Sequence, residues 1–175
     1  MIRIAAALVL LATPSIAADC PQNRAIYVEK DNGYELRFRP TLRWEASANT
    51  MAVVDLIFPD GKTSVWGTIW LPNGTSHDKI DFLTHDCALP AFDPAKDVDP
   101  THGSTQEELE ACKVWEGIIY ALADNDIAEL PWFEDGAAAQ TVLLPDLGPT
   151  IRYSGLVLSP GDEPHDVFTF KGCAD

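Results

Sequence analysis

One stretch, residues 51–71, does most to fix what this chain can become. Met51 to Phe58 and Thr63 to Leu71 flank Pro59-Asp60-Gly61-Lys62, a run built from turn-forming residues. Closing the chain on those four residues pairs Leu56 with Val65, Val54 with Gly67 and Ala52 with Ile69. Successive side chains on a strand point to opposite faces, so this register makes one face wholly apolar. The other face carries Met51, Val53, Asp55, Ile57, Trp66, Thr68 and Trp70. With both faces rich in apolar groups, the hairpin belongs in the middle of an antiparallel sheet, covered on at least one side.

A second hairpin is expected upstream, with Ala25 to Lys30 and Tyr34 to Arg39 around Asp31-Asn32-Gly33. A two-residue Asn-Gly turn sets Val28 against Arg37 and mixes the faces. A three-residue loop with Gly33 in the left-handed conformation pairs Val28 with Leu36 and Ile26 with Phe38, which is the register expected. Near the C-terminus, Gln140 to Leu144, Thr150 to Leu158 and Val167 to Lys171 read as strands between Pro/Gly/Asp-rich turns.

Between these groups the pattern changes. Pro90 to Gly103 is loop-like, and Ser104-Thr105-Gln106-Glu107 then has the spacing of a helix capping box. At 100° per residue Ala111, Cys112, Trp115, Ile118, Ile119 and Leu122 form one apolar stripe, with Leu109 and Tyr120 off it. The expected fold is α+β: a β-rich antiparallel sheet or sandwich with one principal amphipathic helix over about residues 104–123, held by two disulfides.

The disulfide expectation rests on export. Residues 1–18, MIRIAAALVLLATPSIAA, have a basic start at Arg3, an apolar stretch from Ile4 to Ala12 and a small-x-small site at Ser15-Ile16-Ala17. These are the three parts of a cleavable secretory signal, and the apolar stretch is too short to span a bilayer. A single mature domain, 19–175, is expected in the periplasm or outside the cell, with a bacterial source favoured by the short Ala-rich leader. The four cysteines, Cys20, Cys87, Cys112 and Cys173, then pair. The favoured connectivity is Cys20–Cys173 with Cys87–Cys112, because domain termini often lie close together. Cys20–Cys87 with Cys112–Cys173 is the alternative.

Charge narrows the partners. The chain has 12 Lys plus Arg against 27 Asp plus Glu, a formal charge of −15, and loss of Arg3 with the leader makes it more negative. Such a chain repels phosphate backbones and anionic headgroups and is drawn to cationic surfaces. Nucleic-acid binding and membrane insertion are not expected; a basic protein or a cell-envelope component is.

Catalytic and metal signatures are weak. Three of the four histidines precede aspartate, at His77-Asp78, His85-Asp86 and His165-Asp166; the fourth is His102. Neighbours on a strand face opposite ways, so such a dipeptide is a poor source of two ligands for one ion. Asp93, Asp97 and Asp99 do not have the spacing of an EF-hand loop. Ser154-Gly155 falls within an expected strand and there is no G-x-S-x-G elbow. No metal, cofactor or catalytic residue is therefore assigned.

Aromatic placement is more informative. Trp66 and Trp70 share a strand face about 13 Å apart, at about 3.3 Å per residue. With Asp55 beside them they offer a platform for a sugar or peptide, unless Trp115 covers them. Trp132 and Phe133, bracketed by Glu129 and Glu134-Asp135, resemble an interface anchor with a polar rim, and a loop that tucks both aromatics into the core gives the same pattern. The expected function is a secreted or periplasmic binding module for a protein or envelope component. The alternative is a small exported hydrolase or metal-assisted enzyme using His85 or His165 with an aspartate, and convergence of two histidines and a carboxylate would favour it.

Overall fold

The computed structural model describes residues 20–42, 45, 49–62, 64–74, 77–84, 106–123, 126–131, 136–157 and 159–174. Nine strands lie among them: β1 (Ala25–Glu29), β2 (Glu35–Arg39), β3 (Thr50–Ile57), β4 (Ser64–Trp70), β5 (Asp78–Thr84), β6 (Lys113–Ala123), β7 (Asp126–Ala128), β8 (Thr141–Leu143) and β9 (Val167–Cys173). Two short helices, α1 (Gln106–Cys112) and α2 (Leu147–Tyr153), complete the architecture with a 3-10 turn at Gln22–Arg24. Every strand pairing is antiparallel. The order β5-β4-β3-β2-β1-β9-β8-β6, with β6 also bonded to β5, closes an eight-stranded up-and-down barrel, and β7 is an extra strand beside β6. Closure leaves none of the eight barrel strands with an unpaired side, and the short β7, bonded to β6 alone, is the edge strand among the described residues.

The β3–β4 hairpin has the register expected from its apolar face, with Leu56 opposite Val65, Val54 opposite Gly67 and Ala52 opposite Ile69. It lies centrally, between β2 and β5. The β1–β2 hairpin is shifted by one residue from expectation: Tyr27 faces Leu36 and Val28 faces Glu35. Gly33 is left-handed as required (φ 79°), but the loop is four residues long and closes on a Glu29 N–H···O=C Tyr34 bond of 2.8 Å. The cause is Glu29. Its buried carboxylate accepts the backbone N–H groups of Asp31, Asn32 and Gly33 at 2.8, 2.7 and 3.2 Å, so a residue that reads as outward-facing points in.

The long helix expected over 104–123 is not present. Helix α1 ends at Cys112 and the chain continues directly into β6, which pairs with β5 from Asp78↔Ile119 to Leu83↔Lys113. Trp115, Ile119 and Ala121 are buried on the inward face, while Val114, Ile118 and Leu122 on the outward face are also wholly or partly buried. A strand apolar on both faces hides its alternation, and its residues can then be sorted onto a helical stripe. The β-branched and aromatic run Val114 to Tyr120 favours the strand.

A second correction falls at Thr150–Leu158, where α2 occupies the first half and no strand forms among the described residues. Leu147 and Ile151, one helical turn apart, are fully buried; Pro149 sits in the first turn, where its missing N–H costs nothing; left-handed Gly155 follows the end.

The interior is filled by side chains. Tyr27, Leu36, Phe38, Leu56, Val65, Ile69, Ile80, Phe82, Val142 and Phe168 are all essentially inaccessible and belong to one core with Trp115. Two glycines make room for the largest rings. Phe82 and Trp115 lie 5.7 Å apart between centroids, with Gly67 opposite Phe82. A Cβ on Gly67 would come within 2.7 Å of Phe82 Cδ1, and one on Gly117 would collide with the Trp115 indole at Cζ2. Gly117→Ala is therefore expected to destabilise the barrel by about 1–3 kcal/mol through forced repacking. Urea unfolding measures it, and an unchanged midpoint would mean that Trp115 does not fold back over residue 117.

Cys20 and Cys173 are bonded, with their Cα atoms 5.7 Å apart, so the expected staple between the two ends of the domain is present. It is the one bridge described, where two were expected. Cys112 is buried at the end of α1, while Cys87 lies outside the described residues. No helix among the described residues is long and apolar enough to cross a membrane.

Candidate functional site

One end of the barrel carries a concave mouth, built from the β1–β2 loop, the β3–β4 turn and the strap 154–166 that leads from α2 to β9. The two turns are locally determined. The Glu29 carboxylate holds the first loop, as described above. Gly61, left-handed at φ 66°, closes the second by donating to Phe58 O at 2.9 Å, while Asp60 Oδ1 accepts from Lys62 N at 2.9 Å.

The strap is tied across the mouth by side chains from the first hairpin. Asn32 Nδ2 donates to Gly161 O and Glu163 O at 3.1 and 2.7 Å, and Tyr34 Oη donates to Asp162 O at 2.8 Å. The cavity beneath has a volume of about 390 Å³, with Tyr34, Phe58, Leu156 and Val157 as its apolar lining and Asn32, Asp60 and Asp162 at its polar positions. Tyr34 and Phe58 meet edge to face at 5.0 Å. Burial, and then the negative field of Asp162, Glu163, Glu29 and Asp60, pushes the Tyr34 hydroxyl up to about 12. The phenol stays protonated at neutral pH and remains a donor. The same field favours a cation in the mouth.

Next to the mouth, Glu29, Asp31 and His165 bring one donor atom each to within 4.8 Å of one another. His165 Nδ1 lies 2.8 Å from Asp31 Oδ2 and 3.7 Å from Glu29 Oε1. Imidazole with two carboxylates is a donor set that a divalent cation accepts. Here the three already form a bonded set that fastens the strap to the hairpin. The arrangement has one histidine rather than the two that would favour a metal-assisted enzyme. His85, His102, Asp93, Asp97 and Asp99 lie outside the described residues, and exposed His77 packs against Tyr120 with ring centroids 5.3 Å apart.

The aromatic candidates separate. Trp132 and Phe133 lie outside the described residues. Trp66 is buried, at 5 % exposure, and sits opposite Asp55 on the outward face, whereas Trp115 is inside the barrel and so is not what covers it. Trp70 is half-buried, with the Lys79 ammonium 5.9 Å from its ring centroid. Asp55 is engaged by Arg39 Nε at 3.2 Å, and burial pushes its carboxyl up in spite of that partner. Of the two indoles, Trp70 is the accessible one.

The mouth was not visible in the sequence because its contacts join residues far apart in the chain. His165 and the Asp31-Asn32-Gly33 turn were each noticeable alone, but nothing in their spacing says that they meet. No protein-family model matches the chain, nor does any curated protein or solved structure at a significant level.

Proposed function

We propose that the chain is an exported binding module that captures a basic segment of a protein or envelope component at the mouth of its barrel. In this reading residues 1–18 are removed, 19–175 form one domain, and Cys87 pairs with Cys112 as a second bridge. The observation that carries it is the mouth itself: an apolar lining of Tyr34, Phe58, Leu156 and Val157 beside Asp60 and Asp162. Lysine and arginine bury an aliphatic stem on such a surface and present the charged head to the acids around it. The formal charge of −15 steers the same class of partner toward the molecule. A filled interior supports recognition at the mouth and not within the barrel.

The test is a titration of the mature protein with a hexapeptide of alternating arginine and leucine, followed by NMR. Resonances of Tyr34, Phe58, Leu156 and Val157 are expected to move, and affinity to fall with added salt. The double substitution Asp60→Asn, Asp162→Asn is expected to weaken binding roughly tenfold, equivalent to about 1.4 kcal/mol. Equal binding of a glutamate–leucine peptide, or indifference to both salt and the double substitution, would defeat the proposal.

A further inference from the structure

At the opposite end of the barrel, where β5 begins and β6 ends, a recess of about 130 Å³ is lined by His77, Asp78, Ile119, Tyr120, Ile127 and Glu129. Its position follows from the pairing. Asp78 sits opposite Ile119, on the same inward face of β5 as Ile80 and Phe82, and is only 6 % exposed. Strand β7 pairs with the end of β6, Ala128 against Ala121, which carries Glu129 to the same place. The Asp78 carboxylate is left poorly served: its Oδ1 is buried with no hydrogen-bond partner. Burial, and next the charge of Glu129, raises this carboxyl to about 6, against smaller opposing effects of a hydrogen bond from its own backbone amide and of His77.

A buried carboxylate with an unpaired oxygen is unfavourable, and groups of this kind concentrate at binding and catalytic sites. We propose that this recess binds a small organic cation, an alkylammonium or guanidinium group, with Asp78 as its principal anionic partner and Glu129 as the second. The size agrees. A recess of about 130 Å³ is on the scale of a small head group and below the several hundred Å³ of a pocket for a larger ligand. The walls agree too, since Ile119, Ile127 and the Tyr120 ring suit an alkyl stem and the face of a delocalised cation. A metal ion fits less well. The trio of donors within ligand distance among the described residues is Glu29, Asp31 and His165 at the mouth, not His77, Asp78 and Glu129. The inference is independent of the mouth and of what binds there.

The experiment uses the full mature chain at pH 7.5 with methylammonium and methylguanidinium at low millimolar concentration, matched for ionic strength with sodium chloride. A saturable rise in melting temperature is expected, with shifts of the Ile119 and Tyr120 amide resonances. Asp78→Asn is expected to weaken binding at least tenfold while the free variant melts higher than wild type, because the buried charge is gone. Glu129→Gln is expected to weaken it several-fold. Between the ordinary carboxylate range and about pH 6 the folded chain holds a proton that the unfolded chain releases, so free-protein stability falls as pH rises through that window. Ligand affinity is expected to rise through it, and to be lost at pH 5. If the arginine–leucine peptide shifts these same resonances and the free amines do as well, the cation can be a small molecule or a side chain. Loss of all saturable response to both amines, full binding by Asp78→Asn, or stabilisation by zinc and not by either amine would each overturn the proposal.

Discussion

Removing the Cys20–Cys173 bridge, by the paired substitutions Cys20→Ser and Cys173→Ser, is expected to lower the stability of the barrel by about 5 kcal/mol. The bridge joins residues separated by 153 positions, and the entropy of closing so long a loop in the unfolded chain sets that figure. Single domains are stable by only about 5–15 kcal/mol, so a third or more of the total is at stake. Local bonds at the same seam do not replace it. Ala138 N donates to Cys20 O at 2.7 Å and Ala174 N to Arg24 O at 2.8 Å, but each holds only while the ends are already together. Urea unfolding of the double variant, without reductant, reads the loss as a lower midpoint. Hydrogen exchange should show β1 and β9 opening first. A loss below about 1 kcal/mol would mean that the unfolded chain is already held compact by other means.

Arg39→Ala is expected to cost about 3–5 kcal/mol, the usual penalty for stripping the partner from a buried charge. The Glu45 side chain has no solvent exposure. Arg39 donates to it through Nη1 at 2.9 Å and Nη2 at 2.6 Å, and Leu42 N donates at 2.7 Å. Arg39 Nε also reaches Asp55 Oδ2 at 3.2 Å. One guanidinium therefore serves two carboxylates, and its removal leaves the buried Glu45 and the partly buried Asp55 without their shared cation. The pH dependence gives the effect a signature. Without Arg39 the burial that pushes the Asp55 carboxyl up loses its main opposing charge, so the variant gains relative stability as pH falls toward 4, and its deficit against wild type is largest at neutral pH. Urea midpoints for both proteins at pH 7 and pH 4.5 test this. A deficit that is the same at both values would assign the loss to packing of the arginine stem instead. Lysine cannot reproduce the two-pronged contact, so Arg39→Lys should recover only part of the loss.

The β3–β4 hairpin was legible because a strong turn and one wholly apolar face specify a register together. The pairing of Cys20 with Cys173 was legible for a topological reason, the nearness of domain ends. The β1–β2 register was missed by one residue because burial of Glu29 depends on three backbone donors that only the folded loop supplies. The strand at 113–123 was misread because covering both its faces removes the alternation that identifies strands; Tyr120 falling off the helical stripe was the available warning. Strand β5, Asp78–Thr84, gave no clear signal before its partner β6 was recognised as a strand. The mouth depends on contacts such as Tyr34 to Asp162 and His165 to Asp31, across 128 and 134 residues, which no local pattern encodes.

The meander has a consequence for how the molecule is made. Around the barrel each strand pairs with one that follows closely in the chain, except at the seam where β1 meets β9. Synthesis proceeds from the N-terminus, so the open edge of β1 waits, unpaired, until β9 has emerged. For that interval the nascent sheet presents a free ladder of amides and carbonyls to any neighbouring chain. Pairing of the seven-residue strand Val167–Cys173 with β1 is what ends that exposure.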